Sequence, residues 1–258
     1  MQKSKIISVV NQKGGVGKTT TTVNLGTALA AIEKKILLID LDPQGNLTTG
    51  LGIKDKERDN SVYNLITGKA DIKEVIFPTK IPNLSIITSN INLSGIEFEL
   101  AEDINKTNKL LKGVFSINKN YDFIIIDCAP SLGIVTTNAF TVAHSIIIPI
   151  QCEYFALEGL GKLLNTIKIV QSRLNKDLDI EGLLLTMYDT RLRLSNQVVE
   201  EVKKHFGKMV FKTIIQRNIR LSEAPSFGED IITYDASSRG AKSYLSLASE
   251  IIKRNKLK

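Results

Sequence analysis

The chain has 258 residues, of which 43% are hydrophobic and 24% are charged, and its 34 Lys and Arg against 27 Asp and Glu give a net charge of +7. These proportions are typical of a soluble protein with one large α/β domain or at most two small ones. No apolar run approaches the roughly 20 residues that a membrane-spanning helix needs. The first strand follows Met1 so closely that we expect neither a signal peptide nor a further domain before it.

The basic balance fits an anionic partner, either nucleic acid or a membrane surface, and it fits equally a solvated basic surface. Two cysteines, Cys128 and Cys152, each follow an apolar strand-like run. So few cysteines indicate a reducing compartment. We expect both to be buried as small hydrophobic residues rather than to bind a metal or a cluster.

The first motif, IISVVNQKGGVGKTT at residues 6–20, predicts a strand, a phosphate-binding loop and the beginning of a helix. Its three glycines let the main chain wrap closely around an anion, and the N-terminus of a helix supplies free N–H donors and a positive dipole. Lys18 is placed to reach the β and γ phosphates of ATP, and the Thr19 hydroxyl to bind Mg²⁺. The usual P-loop pattern has glycine where this chain has Gln12, and Lys13 adds a second lysine at the mouth of the loop.

Helical spacing continues from Val23 to Ile32 and ends in a charged turn. The next run, ILLID, is short and apolar on both faces, as in a strand of a parallel sheet between two helix layers. Asp40 and Asp42 close that strand. Because ligands of open α/β sheets lie at the carboxyl ends of the strands, we predict that both acids lie beside the phosphates.

Residues 51–83 carry a weak signal, in which a helix is predicted to begin within 59–66, and a strand is predicted at 84–88. Helical spacing resumes from Ile96 to Phe115 and includes Phe98 and Ile104 among its apolar positions. This spacing predicts one packing helix over the whole segment.

FIIID, at residues 123–127, has the Walker B pattern of an apolar strand that ends in an acid. The pattern places Asp127 near Mg²⁺, usually through a water. Further strands are predicted at SIIIPIQ and at 180–186. Strands and helices alternate without a repeat or a flexible linker, which predicts a single α/β domain over residues 1–258 with a mostly parallel twisted sheet flanked by helices.

Two arginine-bearing loops follow. YDTRLRLSNQ carries Arg191 and Arg193 before an amphipathic helix, and QRNIRLSEAPSFGEDI carries Arg217 and Arg220. Taken alone, such arginines are also compatible with solvated loop charge. The last helix, predicted at 241–253 behind a serine cap in YDASSRG, has a broad apolar stripe suited to packing on the sheet, and its tail KRNKLK carries little apolar surface.

KGGVGKTT is the deviant Walker A signature, and together with the acidic strand ends and RLSEAPSFGEDI it makes the chain resemble the ParA and MinD family of dimeric ATPases over nearly its whole length. The resemblance implies that Lys13 crosses a dimer interface to the partner's nucleotide, much as an arginine finger does. It also implies that Asp42 positions the attacking water and that Asp40 supports the magnesium and loop network. It assigns catalysis to Lys13, Lys18 and Asp42, and nucleotide contacts to Lys13, Gly14, Gly15, Val16, Gly17, Lys18, Thr19, Thr20, Asp40 and Arg217.

In the partition members of this family, arginines that match Arg191 and Arg220 lie on the dimer face that grips DNA. Gln216 departs from the family, which commonly has proline there. The implied cycle begins with ATP-driven homodimerisation and non-specific binding of duplex DNA, and it ends when a ParB-type partner stimulates hydrolysis and the DNA is released. The resemblance thus implies a cytoplasmic, nucleoid-associated protein, serving either a chromosome or a plasmid.

Two other functions fit the same loop. A MinD-like membrane-cycling ATPase needs a C-terminal helix whose apolar face enters lipid, whereas the terminal apolar residues here are expected to pack in the core. An electron-transfer ATPase like the nitrogenase iron protein needs cluster cysteines at the dimer face, and neither cysteine is so placed. We therefore expect no membrane partner and no metal cluster.

Overall fold

The computed structural model describes residues 4–54, 59–154, 156, 157 and 159–256. Seven strands in these residues form one sheet in the order β3-β4-β2-β5-β1-β6-β7, in which only the β3–β4 pair is antiparallel. The predicted mostly parallel sheet is confirmed. The strands are β1 (Lys5–Val9), β2 (Ile36–Leu41), β3 (Ile76–Pro78), β4 (Leu84–Ile87), β5 (Phe123–Cys128), β6 (Ser145–Gln151) and β7 (Asp179–Thr186).

Helices cover both faces of the sheet, because the strand residues alternate between two apolar clusters. On β5, Ile124 and Ile126 face one cluster, and Phe123 and Ile125 face the other. None of the helices in the described ranges is long and apolar enough to cross a membrane. The helices are α1 (Lys18–Ala31), α2 (Asn46–Gly50), α3 (Val62–Thr67), α4 (Ile96–Glu99), α5 (Lys109–Ile117), α6 (Ile134–Val142), α7 (Leu160–Arg173), α8 (Arg193–Phe206), α9 (Ile219–Glu223), α10 (Ile231–Asp235) and α11 (Arg239–Arg254).

The sheet order brings the predicted site residues to one edge. β5 lies between β2 and β1, and the register pairs Asp127 with Asp40 on one side and with Val9 on the other. The loop after β1 therefore begins next to both acidic strand ends. This neighbourhood follows from topology and not from closeness along the chain.

The single helix predicted over 96–115 is wrong. The chain forms α4, a series of turns and then α5, and the side chains of Phe98 and Ile104 are 87% and 96% exposed. The physical reason is a tertiary contact: the amide of Asn138 donates to the Lys106 carbonyl at 2.7 Å and accepts from the Leu110 N–H at 3.1 Å. These bonds satisfy main-chain groups that a continuous helix would have paired internally.

Smaller differences concern element ends. The short edge strand β3 was not predicted, and Arg193, predicted in a loop, is the first residue of α8. Within YDASSRG, residues 234 and 235 end α10, while the serine cap is confirmed, since the Ser238 hydroxyl accepts from the Ala241 N–H at 3.1 Å. The last two residues of the basic tail lie outside the described residues.

Gly182 lies at a tightly packed position in β7. A Cβ on Gly182 would lie 2.6 Å from Phe211 Cε2 and 3.0 Å from the Met209 carbonyl, whereas a Cβ on Gly161 in α7 would meet nothing within 4 Å. We expect Gly182→Ala to lower the free energy of unfolding by about 1 to 3 kcal/mol through overpacking. Gly161→Ala, the control, should raise it by up to about 1 kcal/mol. Urea unfolding measures both, and equal stability of the two variants would contradict this packing.

Candidate functional site

The loop between β1 and α1 leaves its N–H groups open to a ligand. Gly15 and Gly17 have φ of 73° and 89°, a conformation that favours glycine. A Cβ on Gly14 or Gly15 would project into open space. Gly17 directly precedes α1, and no side chain of the described residues caps that helix. The first turn of α1 is thus available to an anion.

Two buried polar residues that the sequence reasoning missed hold the loop in place. The Asn11 amide donates to the Pro149 carbonyl at 2.7 Å and accepts from the Lys13 N–H at 3.0 Å. The Thr186 hydroxyl donates to the Val16 carbonyl at 2.9 Å. The two contacts tie the loop to strands β6 and β7 through groups of the protein itself. Asparagine is a turn-forming residue, and Asn11 directly follows the apolar run 6–10. This position was the one sequence signal for its role in holding the loop.

Asp127 is fully buried and is held by α1. The Thr19 hydroxyl donates to one carboxylate oxygen at 2.7 Å, and the Thr22 hydroxyl donates to the other at 3.2 Å. Burial raises the pKa of Asp127 to about 8, with a further rise from the charge of Asp40. Burial also lowers the pKa of Lys18, against the opposing effect of Asp127. The buried acid is therefore poorly compensated by the protein alone.

The residues present fit a magnesium ion. A threonine hydroxyl and a carboxylate are the hard oxygen ligands that Mg²⁺ prefers, with the remaining positions left to water and phosphate. In the described ranges, no group of three or more His, Cys, Asp and Glu side chains is placed to hold a metal ion. The arrangement of Thr19 and Asp127 thus suits a cation brought with a nucleotide rather than a closed protein cage.

Asp40 is buried behind the cleft and connects three segments. Its carboxylate accepts from the Thr48 N–H at 2.9 Å, the Thr48 hydroxyl at 2.7 Å and the Asp42 N–H at 3.1 Å. The Thr48 hydroxyl in turn accepts from the Ser89 N–H at 3.1 Å. Burial raises the pKa of Asp40 to about 6 against these hydrogen bonds. Asp40 thereby fixes the main chain that presents Asp42 to the cleft. Its partner Thr48 was not predictable from any motif or spacing in the sequence.

A cleft of about 590 Å³ lies above the loop, a size that suits a small-molecule ligand. Asp42, Gln44, Pro130 and Pro225 face it from other segments. Of the predicted nucleotide and catalytic residues, those that line it are Gly14, Gly15, Gly17, Lys18, Thr19, Thr20 and Asp42, whereas those that do not are Lys13, Val16, Asp40, Asp127 and Arg217.

A second cavity of about 350 Å³ adjoins the first, since both are lined by Gly17, Thr20 and Met187. Arg217 and Asn218 contribute to its wall. Arg217 also forms an ion pair with Glu153 at 3.4 Å. The structure therefore brings Arg217 next to the loop although 200 residues separate them in sequence.

The two arginines predicted to touch DNA lie outside both cavities. The Arg191 guanidinium forms a two-point contact with Asp189, with N–O distances of 2.9 and 2.7 Å. Arg220 pairs with Glu223 at 2.9 Å and lies over the Tyr234 ring at 5.8 Å. Both guanidinium groups are exposed and both have an acidic neighbour.

Comparison with known proteins agrees with the site. A family model described as an AAA domain matches residues 4–180. The sporulation initiation inhibitor protein Soj of Bacillus subtilis is 55% identical over 247 residues, which cover 96% of this chain and 98% of that protein. The chromosome partitioning protein ParA of Myxococcus xanthus is 48% identical over 251 residues, 97% of this chain and 89% of that protein.

Among solved structures, cobyrinic acid a,c-diamide synthase from Mycobacterium smegmatis, with bound ATP analog and magnesium, has a TM-score of 0.87 and 34% identity. The match covers 98% of this chain and 96% of that one. Sheet order, loop and acidic strand ends thus define a P-loop ATPase of the deviant Walker A type. The chain belongs to the ParA/MinD family, and within it to the Soj and ParA chromosome-partitioning proteins.

The raised pKa of Asp127 predicts a pH dependence of folding. The pKa of about 8 in the folded chain exceeds the ordinary value of 3.8, so folding favours the protonated acid. Its stabilising contribution is complete below about pH 4 and is lost as the pH rises towards 8. We expect the free energy of unfolding without Mg²⁺ to fall between pH 5 and 8, and to fall less in Asp127→Asn.

Urea unfolding in EDTA at several pH values measures this slope. Asp177→Asn, at an exposed position between α7 and β7, serves as the control. Mg²⁺ together with ATP should reduce the wild-type decline, because both favour the ionised carboxylate. The same slope in wild type and Asp127→Asn would refute the assignment of the decline to Asp127.

Proposed function

We propose that the chain is an ATP-dependent, dimerising DNA-partition ATPase. In the bound state, the loop and the first turn of α1 would hold the triphosphate, Lys18 would neutralise its β and γ phosphates, and Thr19 and Asp127 would hold Mg²⁺. Mg²⁺ supplies charge neutralisation of the phosphates. The adjoining cavity with Arg217 and Asn218 has a suitable position for the nucleoside.

The observation that carries the dimer proposal concerns Lys13. Its main chain is fixed on both sides, by the Asn11 amide at its N–H and by the Lys18 ammonium at its carbonyl, 3.2 Å away. Its side chain nevertheless does not line the cleft of its own chain. Among the described residues, no carboxylate lies within 4.0 Å of its ammonium group. A rigidly presented lysine without a local partner suits the nucleotide of a second copy, as an arginine finger supplied in trans does.

Hydrolysis needs a water aligned on the γ phosphate. Asp42 lines the cleft and is positioned by Asp40 through its N–H, so it is the residue we assign to that water. Its carboxylate also accepts from the Gln44 N–H at 3.0 Å, within the loop that follows β2. We infer that turnover is slow until a ParB-type partner fixes this loop and the loop at Pro130.

DNA binding would follow from dimerisation. We call Arg191 and Arg220 of one subunit the arginine patch and expect it to bind DNA weakly. Two subunits face to face would join two such patches into one site. Contacts of this kind address phosphates and read no sequence. The ATP-bound dimer would therefore associate with the nucleoid and leave it after hydrolysis.

Two other functions, membrane cycling and amidation, are less well supported. In α11, Leu247 and Ile251 are fully buried, so they are not free to enter a membrane as the MinD-like function needs. The Mycobacterium smegmatis protein is named for an amidation. Neither Cys128 nor Cys152 of this chain supports such a function as a reactive nucleophile. Burial raises the pKa of Cys152 to about 12 and that of Cys128 well above its usual value, and both thiols are buried.

Asp42→Ala separates binding from turnover. We expect the variant to keep ATP-dependent dimers and DNA binding while ATP hydrolysis falls by about 10²-fold or more, because the water loses its orienting carboxylate. Phosphate release and analytical ultracentrifugation measure the two properties, with Asp177→Ala as the control. Normal hydrolysis by Asp42→Ala would remove Asp42 from this role.

Arg220→Ala tests the DNA interface. Affinity for duplex DNA, measured against salt with ATP, ADP and no nucleotide, should rise with ATP and fall steeply with salt. Each dimer of the variant loses two phosphate contacts, so the slope of log affinity against log salt should flatten by about 2. The control is Arg173→Ala, an exposed arginine in the last turn of α7. Binding of anionic vesicles but not of DNA with ATP would replace the partition function by the membrane-cycling one.

A further inference from the structure

Arg191 and Arg220, predicted to bind DNA, and Arg217, predicted to contact the nucleotide, all have acidic neighbours in a single subunit. Arg191, Arg217 and Arg220 each form an ion pair within the chain, with Asp189, Glu153 and Glu223 respectively. Arg220 also approaches Asp235, at 3.7 Å. The positive charge of these three guanidinium groups is therefore partly offset by their acidic neighbours.

Several cationic side chains border a groove of about 1290 Å³ between the end of α8 and the end of α11. We call it the lysine groove. It is lined by Lys203, Gly207, Lys208, Val210, Phe211, Lys212, Ser246, Ser249, Glu250, Lys253 and Arg254.

A fixed ion pair forms the floor of the lysine groove. Arg254 binds Glu250 at 2.9 Å, donates to the Val210 carbonyl at 3.0 Å and lies over the Phe211 ring at 4.2 Å. Glu250 also accepts from the Lys212 N–H at 2.9 Å. These contacts engage both charges of the Arg254–Glu250 pair. The positive charge of the lysines that line the groove is therefore in excess of its negative charge.

Among the described residues, the four lysines of the lysine groove have no acidic partner. Within the described ranges, no carboxylate oxygen lies within 4.0 Å of the ammonium groups of Lys203, Lys208, Lys212 or Lys253. Glu200 and Glu201, one turn earlier on α8, do not line the groove. A smaller cleft that shares Lys212 and Ser246 adds Lys242 to the same basic band.

Helix stabilisation does not account for all this charge. Both α8 and α11 end at the groove, and each helix C-terminus carries roughly half a negative charge. Two such ends offset about one of the four lysine charges. At physiological ionic strength the Debye length is about 8 Å, so charges around one groove still repel one another. An arrangement of this kind suits a polyanion.

We propose that the lysine groove is a second contact surface for the phosphate backbone of duplex DNA, separate from the arginine patch. This inference rests on the proposed DNA-partition function. Its accessible donor groups include the ammonium ions of its lysines, which are side chains that contact phosphates. Val210 and Phe211, the apolar side chains among its lining residues, are buried in its floor, so neither is available to a lipid surface.

The two DNA contacts lie near opposite ends of α8. Arg191 precedes its first residue, and Lys203 belongs to its last turn. A helix of 14 residues is about 21 Å long at 1.5 Å per residue. A duplex rises about 3.4 Å per base pair, so roughly six base pairs span that distance.

The lysine groove is complete in one subunit and none of its residues lines the nucleotide cleft. It should therefore act in every nucleotide state. At low salt, it supplies the weak affinity of the nucleotide-free chain for DNA, whereas the arginine patch adds affinity when ATP brings two subunits together. DNA binding by nucleotide-free subunits would keep them near DNA between ATP cycles.

The test uses the full-length chain with Lys208→Gln and Lys253→Gln combined. Affinity for a 30-base-pair duplex is measured against salt without nucleotide and with ATP. We expect nucleotide-free binding to weaken at least severalfold and the salt slope to flatten by about 2 per subunit. Lys80→Gln with Lys119→Gln, an exposed pair away from the groove, removes the same charge and should change neither quantity.

Arg220→Ala, in contrast, should reduce the gain in DNA affinity that ATP produces, because the arginine patch is expected to act in the dimer. A second groove variant, Lys203→Gln with Lys212→Gln, guards against a local folding defect, and urea midpoints of all variants are compared. Groove variants that bind DNA like the control pair, while Arg220→Ala loses the ATP-dependent gain, would overturn the groove and leave the partition function intact.

Two further results would overturn the inference. Wild type that ignores DNA in every state contradicts the proposed function itself, and the groove proposal with it. Binding of phosphatidylglycerol vesicles that the groove variants lose, with DNA affinity unchanged, would assign the groove to a membrane.

Discussion

The contact on which the site depends is the pair of hydroxyl groups that α1 presents to the buried carboxylate of Asp127. Thr19 and Thr22 lie one turn apart on the helix, and each donates to one carboxylate oxygen. This contact fixes the helix that begins at the phosphate loop against the middle of the sheet. It also holds a buried acid next to Asp40, its neighbour across β2 and β5, so that both acids have raised pKa values. A bound magnesium ion would relieve the cost of ionising Asp127, which links nucleotide binding to the stability of the fold.

The strongest parts of the site were predictable because they combine a local sequence pattern with a topological rule. Glycines before Gly-Lys-Thr define the loop, and acids that end apolar strands must meet at one edge of a parallel sheet. Partners chosen by tertiary packing were not predictable. Asn138 interrupts the helix expected over 96–115. Thr48 holds Asp40, and Asn11 holds the phosphate-binding loop. No spacing of residues in the sequence indicates these contacts. The edge strand β3 has three residues and contains Pro78, so its pattern was too short to recognise.

Charge is distributed differently from what the arginine motifs suggested. The arginines that resemble DNA ligands have carboxylates beside them, and phosphates would have to compete with those acids. Lys13 and the lysines around the groove between α8 and α11 have no such neighbours in the described part of the chain. In the proposed cycle, these two kinds of cation have separate tasks. We propose that the partnered arginines bind DNA when two subunits add their contacts, and that the lysines without acidic neighbours serve a second nucleotide and the duplex backbone.

The central claim is that each nucleotide is completed by Lys13 of the opposite subunit, and a mixing experiment tests it most directly. Lys13→Ala and Asp42→Ala chains are purified separately and their ATP hydrolysis is measured alone and after mixing. In a mixed dimer, the Lys13→Ala subunit keeps its own Asp42 and receives Lys13 from the Asp42→Ala subunit, so one site is complete. We predict that mixing restores hydrolysis, and that the double variant, added as the control, restores none. A mixture as inactive as its two components would contradict the claim and place Lys13 at the nucleotide of its own chain.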